Sequence, residues 1–350
     1  MAKVMAAMSG GVDSSVTAAL LKEQGMDTCG GTLRLYEGEG KITDEVQSAK
    51  SVCNILGIEH FVFDMRETFY KEVITRFLQE YEEGLTPNPC IECNKYIKFG
   101  ALLDKAIEMG WEHIATGHYS RIAFDNISKR YVLYRPDDAK KDQTYVLWRL
   151  SQGQLSHILM PLGDITKEGV REIARQYGFA SASAKESQDI CFVPDGNYAA
   201  FLQNIRGSVF EKGNYVDIYG KVLGEHLGHQ HYTIGQRKGL GIALGKPQFV
   251  ISKNPDTNQV VLGDQEHIFK NRIYIKDVNM IAADFPEEDI TCTAKLRYSA
   301  KDEKCIFHPV GENEAILEFE KPQRAPSPGQ SAVFYSTDAV LGGGKIVRGE

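Results

Sequence analysis

The chain has 350 residues, 42% hydrophobic and 25% charged, with 33 glycines and 12 prolines, which excludes disordered, collagen-like and low-complexity classes. Its length predicts two or three domains rather than one core. With 40 basic and 47 acidic residues the formal net charge is −7, which argues against a generic nucleic-acid binder. Residues 1–200 hold 22 Lys and Arg against 28 Asp and Glu, and the remainder 18 against 19, so any polyanion site is a local patch. No apolar run approaches the ~20 residues of a bilayer span. Met1-Ala2-Lys3-Val4 does not open a secretory leader, so a cytoplasmic protein without membrane attachment is expected.

In chain order, the apolar run Lys3–Met8 reads as a strand, Ser9-Gly10-Gly11 as a tight turn, and Val12–Gln24 as a helix with Val12, Val16, Ala19 and Leu20 at helical spacing. Thr28–Leu35 is the next strand. Asp44–Leu56 is a helix with Asp44 as a candidate cap. His60–Asp64 is a strand, Glu67–Glu83 a long amphipathic helix, Ile97–Met109 another helix, and His113–Thr116 a short strand running into Gly117-His118. Strands alternating with helices predict an α/β, doubly wound parallel sheet. After about residue 195 the pattern changes. Gly207–Gly245 is rich in turn residues and shows no clean helix. Short alternating runs then recur at Arg272–Val278, Thr291–Tyr298, Cys305–Val310, Ala315–Glu320, Ser331–Tyr335 and Lys345–Arg348, predicting a small all-β barrel or sandwich.

Ser9-Gly10-Gly11-Val12-Asp13-Ser14-Ser15 stands where a strand delivers the chain to a helix N-terminus, with free N–H groups and the positive dipole end. The glycines permit close backbone approach and the serines add hydroxyls. No Gly-Lys-Ser/Thr follows, so this is not a Walker A loop. Asp13 sits oddly among phosphate donors unless it helps hold Mg²⁺ or caps the turn. The string resembles the PP-loop of N-type ATP pyrophosphatases, which split ATP between its α- and β-phosphates. That likeness implies ATP chemistry and leaves the acceptor open.

Seven cysteines occur, and three lie in distinctive surroundings: Cys90 and Cys93 in Thr86-Pro-Asn-Pro-Cys-Ile-Glu-Cys-Asn-Lys95, and Cys191 in Glu186-Ser-Gln-Asp-Ile-Cys-Phe192. Pro89 forces Asn88 out of the α region, so Asn88-Pro89-Cys90 reads as a turn. Lys95, Lys98 and a nearby helix start predict a lowered pKa at Cys93. A structural zinc site needs four ligands, and only one CxxC is present. Cys29, Cys53, Cys292 and Cys305 fall inside strand or helix patterns and read as small buried hydrophobes.

Taken together, the PP-loop, TPNPCIECNKYIKFG (86–100), ATGHY (115–119), ESQDICF, YTIGQRKGLG (232–241) and SPGQSAVFY (327–335) resemble the tRNA-specific 2-thiouridylase (MnmA/TrmU) family over essentially the whole chain. The resemblance implies a PP-loop catalytic domain of the adenine nucleotide alpha-hydrolase-like type at 1–200, a central tRNA-contacting domain at 201–268 and a C-terminal β-barrel at 269–350. It also implies an enzyme that adenylates the C2 oxygen of the wobble uridine in tRNAs for Lys, Glu and Gln, then replaces that oxygen with sulfur. By position, Cys191 corresponds to the persulfide carrier and Cys93 to the second catalytic cysteine, which would end in a Cys93–Cys191 disulfide.

By the same resemblance, ATP with Mg²⁺ maps onto Ala7, Met8, Ser9, Gly10, Gly11, Val12, Asp13 and Ser14, with Arg34 and Gly117. The target base maps onto Asn88, Pro89 and Cys90. Other tRNA contacts map onto His118, Lys141, Asp142, Gln143, Arg297, Tyr298 and Gln330. Many members carry Met at the position of Arg34 and Asp at that of Cys90, so this chain departs at both. Cys90, Cys93 and Cys191 also form an alternative reading, as ligands of a [4Fe–4S] cluster. A sulfur-donor protein, such as a cysteine desulfurase or sulfur-relay protein, is the implied partner beside tRNA. His226, His229 and His231 read as tRNA-facing or structural, and Arg237 and Lys238 as a phosphate-contacting loop. A PP-loop ligase acting on a small molecule would not need Cys191, and a non-enzymatic RNA binder would not need an intact PP-loop.

Overall fold

The computed structural model describes residues 1–36, 41–183, 190–193 and 195–349; Glu186–Asp189 of the ESQDICF string lie outside them. The chain opens with β1 (Lys3–Ala7), the first helix (Val12–Glu23) and β2 (Asp27–Arg34). The second helix (Lys41–Leu56) and β3 (His60–Asp64) follow. β4 (His113–Ala115) then joins. Next come β5 (Arg121–Asp125), β6 (Arg130–Tyr134) and β7 (Ile158–Leu159). The first sheet runs β3-β2-β1-β4-β7, all parallel, so the order reverses at β1. A ligand crevice belongs at that reversal, outside the C-terminal strand ends. Helices pack on both faces because β1 is apolar on both: Val4, Met5 and Ala6 are fully buried.

The predicted helix at 97–109 starts earlier and is one continuous rod. It comprises an α-turn (Pro89–Glu92), a π-helical stretch (Cys93–Ala101) and a final α-segment (Leu102–Glu108). Asn88 is its N-cap: its backbone is extended, its side chain accepts from the Cys90 N–H, and Pro89 takes the first helical position. The expected turn is therefore a helix cap, and the local rule at Asn88 holds while the helix begins immediately after it.

Beyond this unit lies a four-stranded sheet in the order β10-β11-β8-β9, from β8 (Gly213–Val216), β9 (Val222–His226), β10 (Phe249–Asn254) and β11 (Gln259–Gly263). The remaining strands are β12 (Phe269–Met280), β13 (Ile290–Lys295), β14 (Glu303–Gly311), β15 (Glu314–Arg324), β16 (Ser331–Ser336) and β17 (Ala339–Ile346). They run β12-β15-β14-β13-β16-β17, and β12 pairs again with β17, so the sheet closes into a barrel. The last strand begins at Ala339, not Lys345. Its Gly342-Gly343-Gly344 run masks the strand pattern, yet glycine is required: a Cβ on Gly343 would stand 2.6 Å from the Trp148 ring.

The β5–β6 hairpin leaves the first unit and joins the barrel sheet, with Tyr134 opposite Ala339 on β17. Trp148, Tyr145 and Leu147 share one core with Val333, Tyr335 and Val340 of the barrel. Among the described residues no helix is long and apolar enough to cross a membrane.

Candidate active site

The Gly-rich loop ends β1. Gly10 has φ +76°, and a Cβ there would lie 2.8 Å from the Glu45 carbonyl of the second helix. Gly11 is the N-cap of the first helix and offers no side-chain cap, which leaves the helix end open to an external anion. Ser9 and Ser14 brace the turn: Ser9 N–H donates to Ser14 Oγ at 3.2 Å, and Ser14 Oγ donates to the Gly11 carbonyl at 3.0 Å. Ala7 is half-buried, and Met8 and Val12 are buried beneath the loop. Arg34, at the exposed end of β2, accepts at its carbonyl from Met65 N–H. Gly117, just past β4, faces the loop so closely that a Cβ would be 2.9 Å from Asp13 Cβ and Ser14 N.

Asp13 does not stand free beside this loop. Lys167 Nζ donates to both of its carboxylate oxygens, at 2.7 and 2.8 Å, and Tyr119 OH donates to Oδ1 at 2.7 Å. Lys167 follows the N-cap Thr166 of a helix (Lys167–Gln176) and is itself buried. Sequence reading passes over it because nothing local marks a lysine that will pair far along the chain.

Cys90 and Cys93 lie one turn apart on the capped helix, Cys90 exposed and Cys93 buried. Cys191 is exposed, and its carbonyl accepts from Tyr36 OH at 3.1 Å. The three thiols are electrostatic neighbours, and Lys98 acts on all of them. The expected lowering of the Cys93 pKa is overturned. Burial outweighs Lys98 at Cys93 and pushes its thiol up to about 12, while the protein packed around the sulfurs of Cys191 and Cys90 raises them too, Cys191 to about 11, although both residues keep an exposed edge. All seven cysteines are free thiols, and among the described residues no group of three or more His, Cys, Asp or Glu side chains is placed to hold a metal ion.

Charge interactions relate the surroundings of the loop to those of the thiols. Lys98 also acts on His118, which follows Gly117, and Glu45, beside Gly10, acts on Cys191. His118 is buried, kept neutral by desolvation, and shares a 2.7 Å hydrogen bond with Thr116. Gln143 accepts from Tyr119 N–H at 2.8 Å, while Asp142 caps Thr144 and lies 3.8 Å from Lys295. Lys141 ends the adjoining 3-10 turn and is half-buried. Thus 117–119 and 141–143 form one packed unit. Arg297 donates to the Ala325 carbonyl, and Tyr298 is 45% exposed at the edge of Tyr145. Gln330 Nε2 donates to the Thr86 carbonyl at 2.7 Å, so it holds the approach to Asn88-Pro89-Cys90 from the barrel.

The histidine cluster is structural on its visible contacts. His226 is 3% exposed, and His229 bonds Asn258 and the Glu82 carbonyl. His231 packs edge-on against Phe210. Arg237 and Lys238 are exposed.

Three domain families match in succession: the tRNA methyl transferase HUP domain over residues 2–195, the tRNA methyl transferase PRC-barrel domain over 199–264, and the aminomethyltransferase beta-barrel domain over 270–346. The tRNA-specific 2-thiouridylase MnmA of Carboxydothermus hydrogenoformans is 47% identical over 356 residues, covering 99% of this chain and 98% of its own. The chain belongs to the tRNA-specific 2-thiouridylase family. Other relatives of that name include MnmA 1 of Clostridium tetani, 51% identical over 98% of this chain and 96% of its own, and MnmA of Clostridioides difficile, 48% identical over 99% and 98%. As a 2-thiouridylase-family chain it has the parallel-sheet unit and closed barrel expected from sequence.

Proposed function

We propose that the chain is a tRNA-uridine 2-sulfurtransferase that spends ATP to activate the C2 oxygen of a wobble uridine and replaces it with sulfur. The observation that carries the reading is an uncapped, Gly-rich helix N-terminus at the C-terminal edge of the parallel sheet, together with three thiols, Cys90, Cys93 and Cys191, near enough to interact electrostatically with one another. Residues 1–200 would hold ATP and the thiol chemistry, while 201–268 and 269–350 would present tRNA contacts.

The loop from Ala7 to Ser14, with Gly117, would seat the polyphosphate on backbone N–H groups, and Arg34 would lie at the adenosine end. Mg²⁺ accompanying ATP would screen phosphate charge; with both Asp13 oxygens held by Lys167, the loop would offer it the hydroxyls of Ser9 and Ser14. The uracil O2 attacks the α-phosphorus, pyrophosphate leaves, and the base carries AMP. The terminal sulfur of a Cys191 persulfide then attacks C2 and expels AMP, leaving the base joined to Cys191 through a disulfide. Cys93 thiolate attacks Cys191 Sγ, releasing 2-thiouridine and forming a Cys93–Cys191 disulfide, which a thiol reductant reopens. Lys98 is the cation that favours the thiolates against burial.

A flipped wobble base would enter past Asn88, Pro89 and Cys90, with His118, Lys141, Asp142, Gln143, Arg297, Tyr298 and Gln330 around the anticodon. A cysteine desulfurase or relay protein of the cytoplasm would recharge Cys191. In a [4Fe–4S] route the same three thiols would be ligands; iron and sulfide analysis after anaerobic purification separates the two. The deciding experiment incubates the protein with unmodified tRNA for Lys, Glu or Gln, MgATP, and a desulfurase with cysteine, followed by nucleoside mass spectrometry. Formation of 2-thiouridine, lost in Cys191→Ser, supports the reading; none with the native chain overturns it.

A further inference from the structure

Between Cys90 and Cys93 lies Glu92, only 6% exposed. A buried carboxylate is costly unless paired. Arg149 Nη1 donates to both of its oxygens, at 2.6 and 2.7 Å. Lys345, on β17 of the barrel, stands 3.4 Å from Glu92 Oε1 and 2.6 Å from Glu80 Oε1. Two carboxylates and two cations thus balance in a cluster built from the thiol helix, the preceding helix (Thr75–Glu82), Arg149 in the segment that follows the β5–β6 hairpin, and the barrel itself. The same barrel grips the approach to the helix, where Thr86 N–H donates to the Pro328 carbonyl at 2.8 Å.

We propose that Glu92 is a positioning residue for sulfur transfer, and that the barrel, through Lys345, is part of the apparatus that orients the thiols. The inference rests on the thiol chemistry proposed above. Buried ion clusters are rarely better for stability than apolar packing of the same volume, and their directional demands fix geometry instead. Here the demand falls on the residue between the two cysteines. Anchoring Glu92 on Arg149 and Lys345 sets the rotation of the helix about its axis, and so where Cys90 and Cys93 face Cys191. Sulfur transfer depends on that alignment, whereas attack of the base on ATP draws on the Gly-rich loop. Misplacement of a reacting group by about 1 Å costs on the order of 10²-fold in rate.

The test uses the full chain as Glu92→Gln, Lys345→Met and the double variant. Three readouts are taken: pyrophosphate release, 2-thiouridine formation, and the pH profile of Cys93 alkylation by iodoacetamide, mapped by mass spectrometry. In Glu92→Gln we expect 2-thiouridine formation to fall at least tenfold more than pyrophosphate release, with a displaced Cys93 profile. Removing the surplus cation in the double variant restores part of the transfer rate. Equal loss in both steps with an unmoved Cys93 profile overturns the proposal, as does native transfer in Glu92→Gln. Should Glu92→Gln fail to fold, Lys345→Met decides: an unmoved Cys93 profile and native transfer overturn it. A native chain that makes no 2-thiouridine defeats the functional reading and with it the sulfur-transfer role, whereas the alkylation profiles separately decide whether Glu92 orients Cys93.

Discussion

Lys167 Nζ reaches both carboxylate oxygens of Asp13, at 2.7 and 2.8 Å, from a helix that starts far along the chain. The acidic residue of the phosphate loop is thereby neutralised before any anion arrives, which resolves its odd place in the sequence. Removing the ammonium would leave an unpaired carboxylate beside the polyphosphate. Lys167→Met is expected to weaken ATP binding at least tenfold and to lower stability by about 2 kcal/mol, less than for a fully enclosed pair because Asp13 is partly exposed. Calorimetric titration with MgATP and thermal unfolding check both.

The thiols should be quiescent at neutral pH. With Cys93 near 12 and Cys191 near 11, alkylation by iodoacetamide is expected to be slow at pH 7.5 and to rise roughly tenfold per unit above it. Lys98→Met removes the cation that opposes burial and should slow alkylation further. The folded values lie above the unfolded value of about 8.5, so the chain binds more protons folded; this stabilisation is present below about pH 8.5 and is lost as pH rises toward 11 to 12. Stopped alkylation with peptide mapping measures it, and a fast Cys93 reaction at pH 7 contradicts it.

Acid should act on the central sheet. Burial lowers His226 to about 4 and depresses His229 and His231. Folded values below the unfolded value of about 6.5 give stability that is present above pH 6.5 and lost as pH falls toward 4. Urea midpoints at pH 7.5 and 5 should therefore differ. His226→Gln should narrow that gap at a cost of about 1 kcal/mol at neutral pH.

Gly117→Ala tests the approach of β4 to the phosphate loop. The added methyl would press on the Asp13 and Ser14 backbone at 2.9 Å, where no flexible side-chain end can yield. Overpacking of about 1–3 kcal/mol is expected, with ATP affinity falling about tenfold or more while the barrel stays folded. An unchanged affinity would place ATP elsewhere.

The parallel-sheet unit was legible because its signals are local: apolar runs such as Val4–Ala6, the Gly10-Gly11 turn, and the helical spacing after Val12. The β5–β6 hairpin was equally open to reading in its alternation, Arg121 to Asp125 and Arg130 to Tyr134, yet its destination in a distant sheet was not. The final strand reads as starting at Lys345 rather than Ala339 because three glycines, needed to clear Trp148 and its neighbours, carry no side chain to show a period. At the site, the thiols and the phosphate loop announce themselves by composition. The Cys93 pKa was misread because nearby lysines are visible in a sequence and burial is not. Lys167, Arg149 and Lys345 are single cations whose meaning exists only where distant segments meet.

The hairpin welded to β17 bears on the order in which the molecule can be completed. During synthesis, Arg121–Tyr134 and the Trp148 region emerge long before Ala339–Ile346, the strand that pairs with one and covers the other. Until then a two-stranded ribbon keeps an open edge and an indole lacks its glycine-lined cover. Such long-range pairing is slow to form and exposed to mispairing meanwhile. A ribosome-bound chain stopped before residue 331 should therefore recruit chaperones that the finished protein does not.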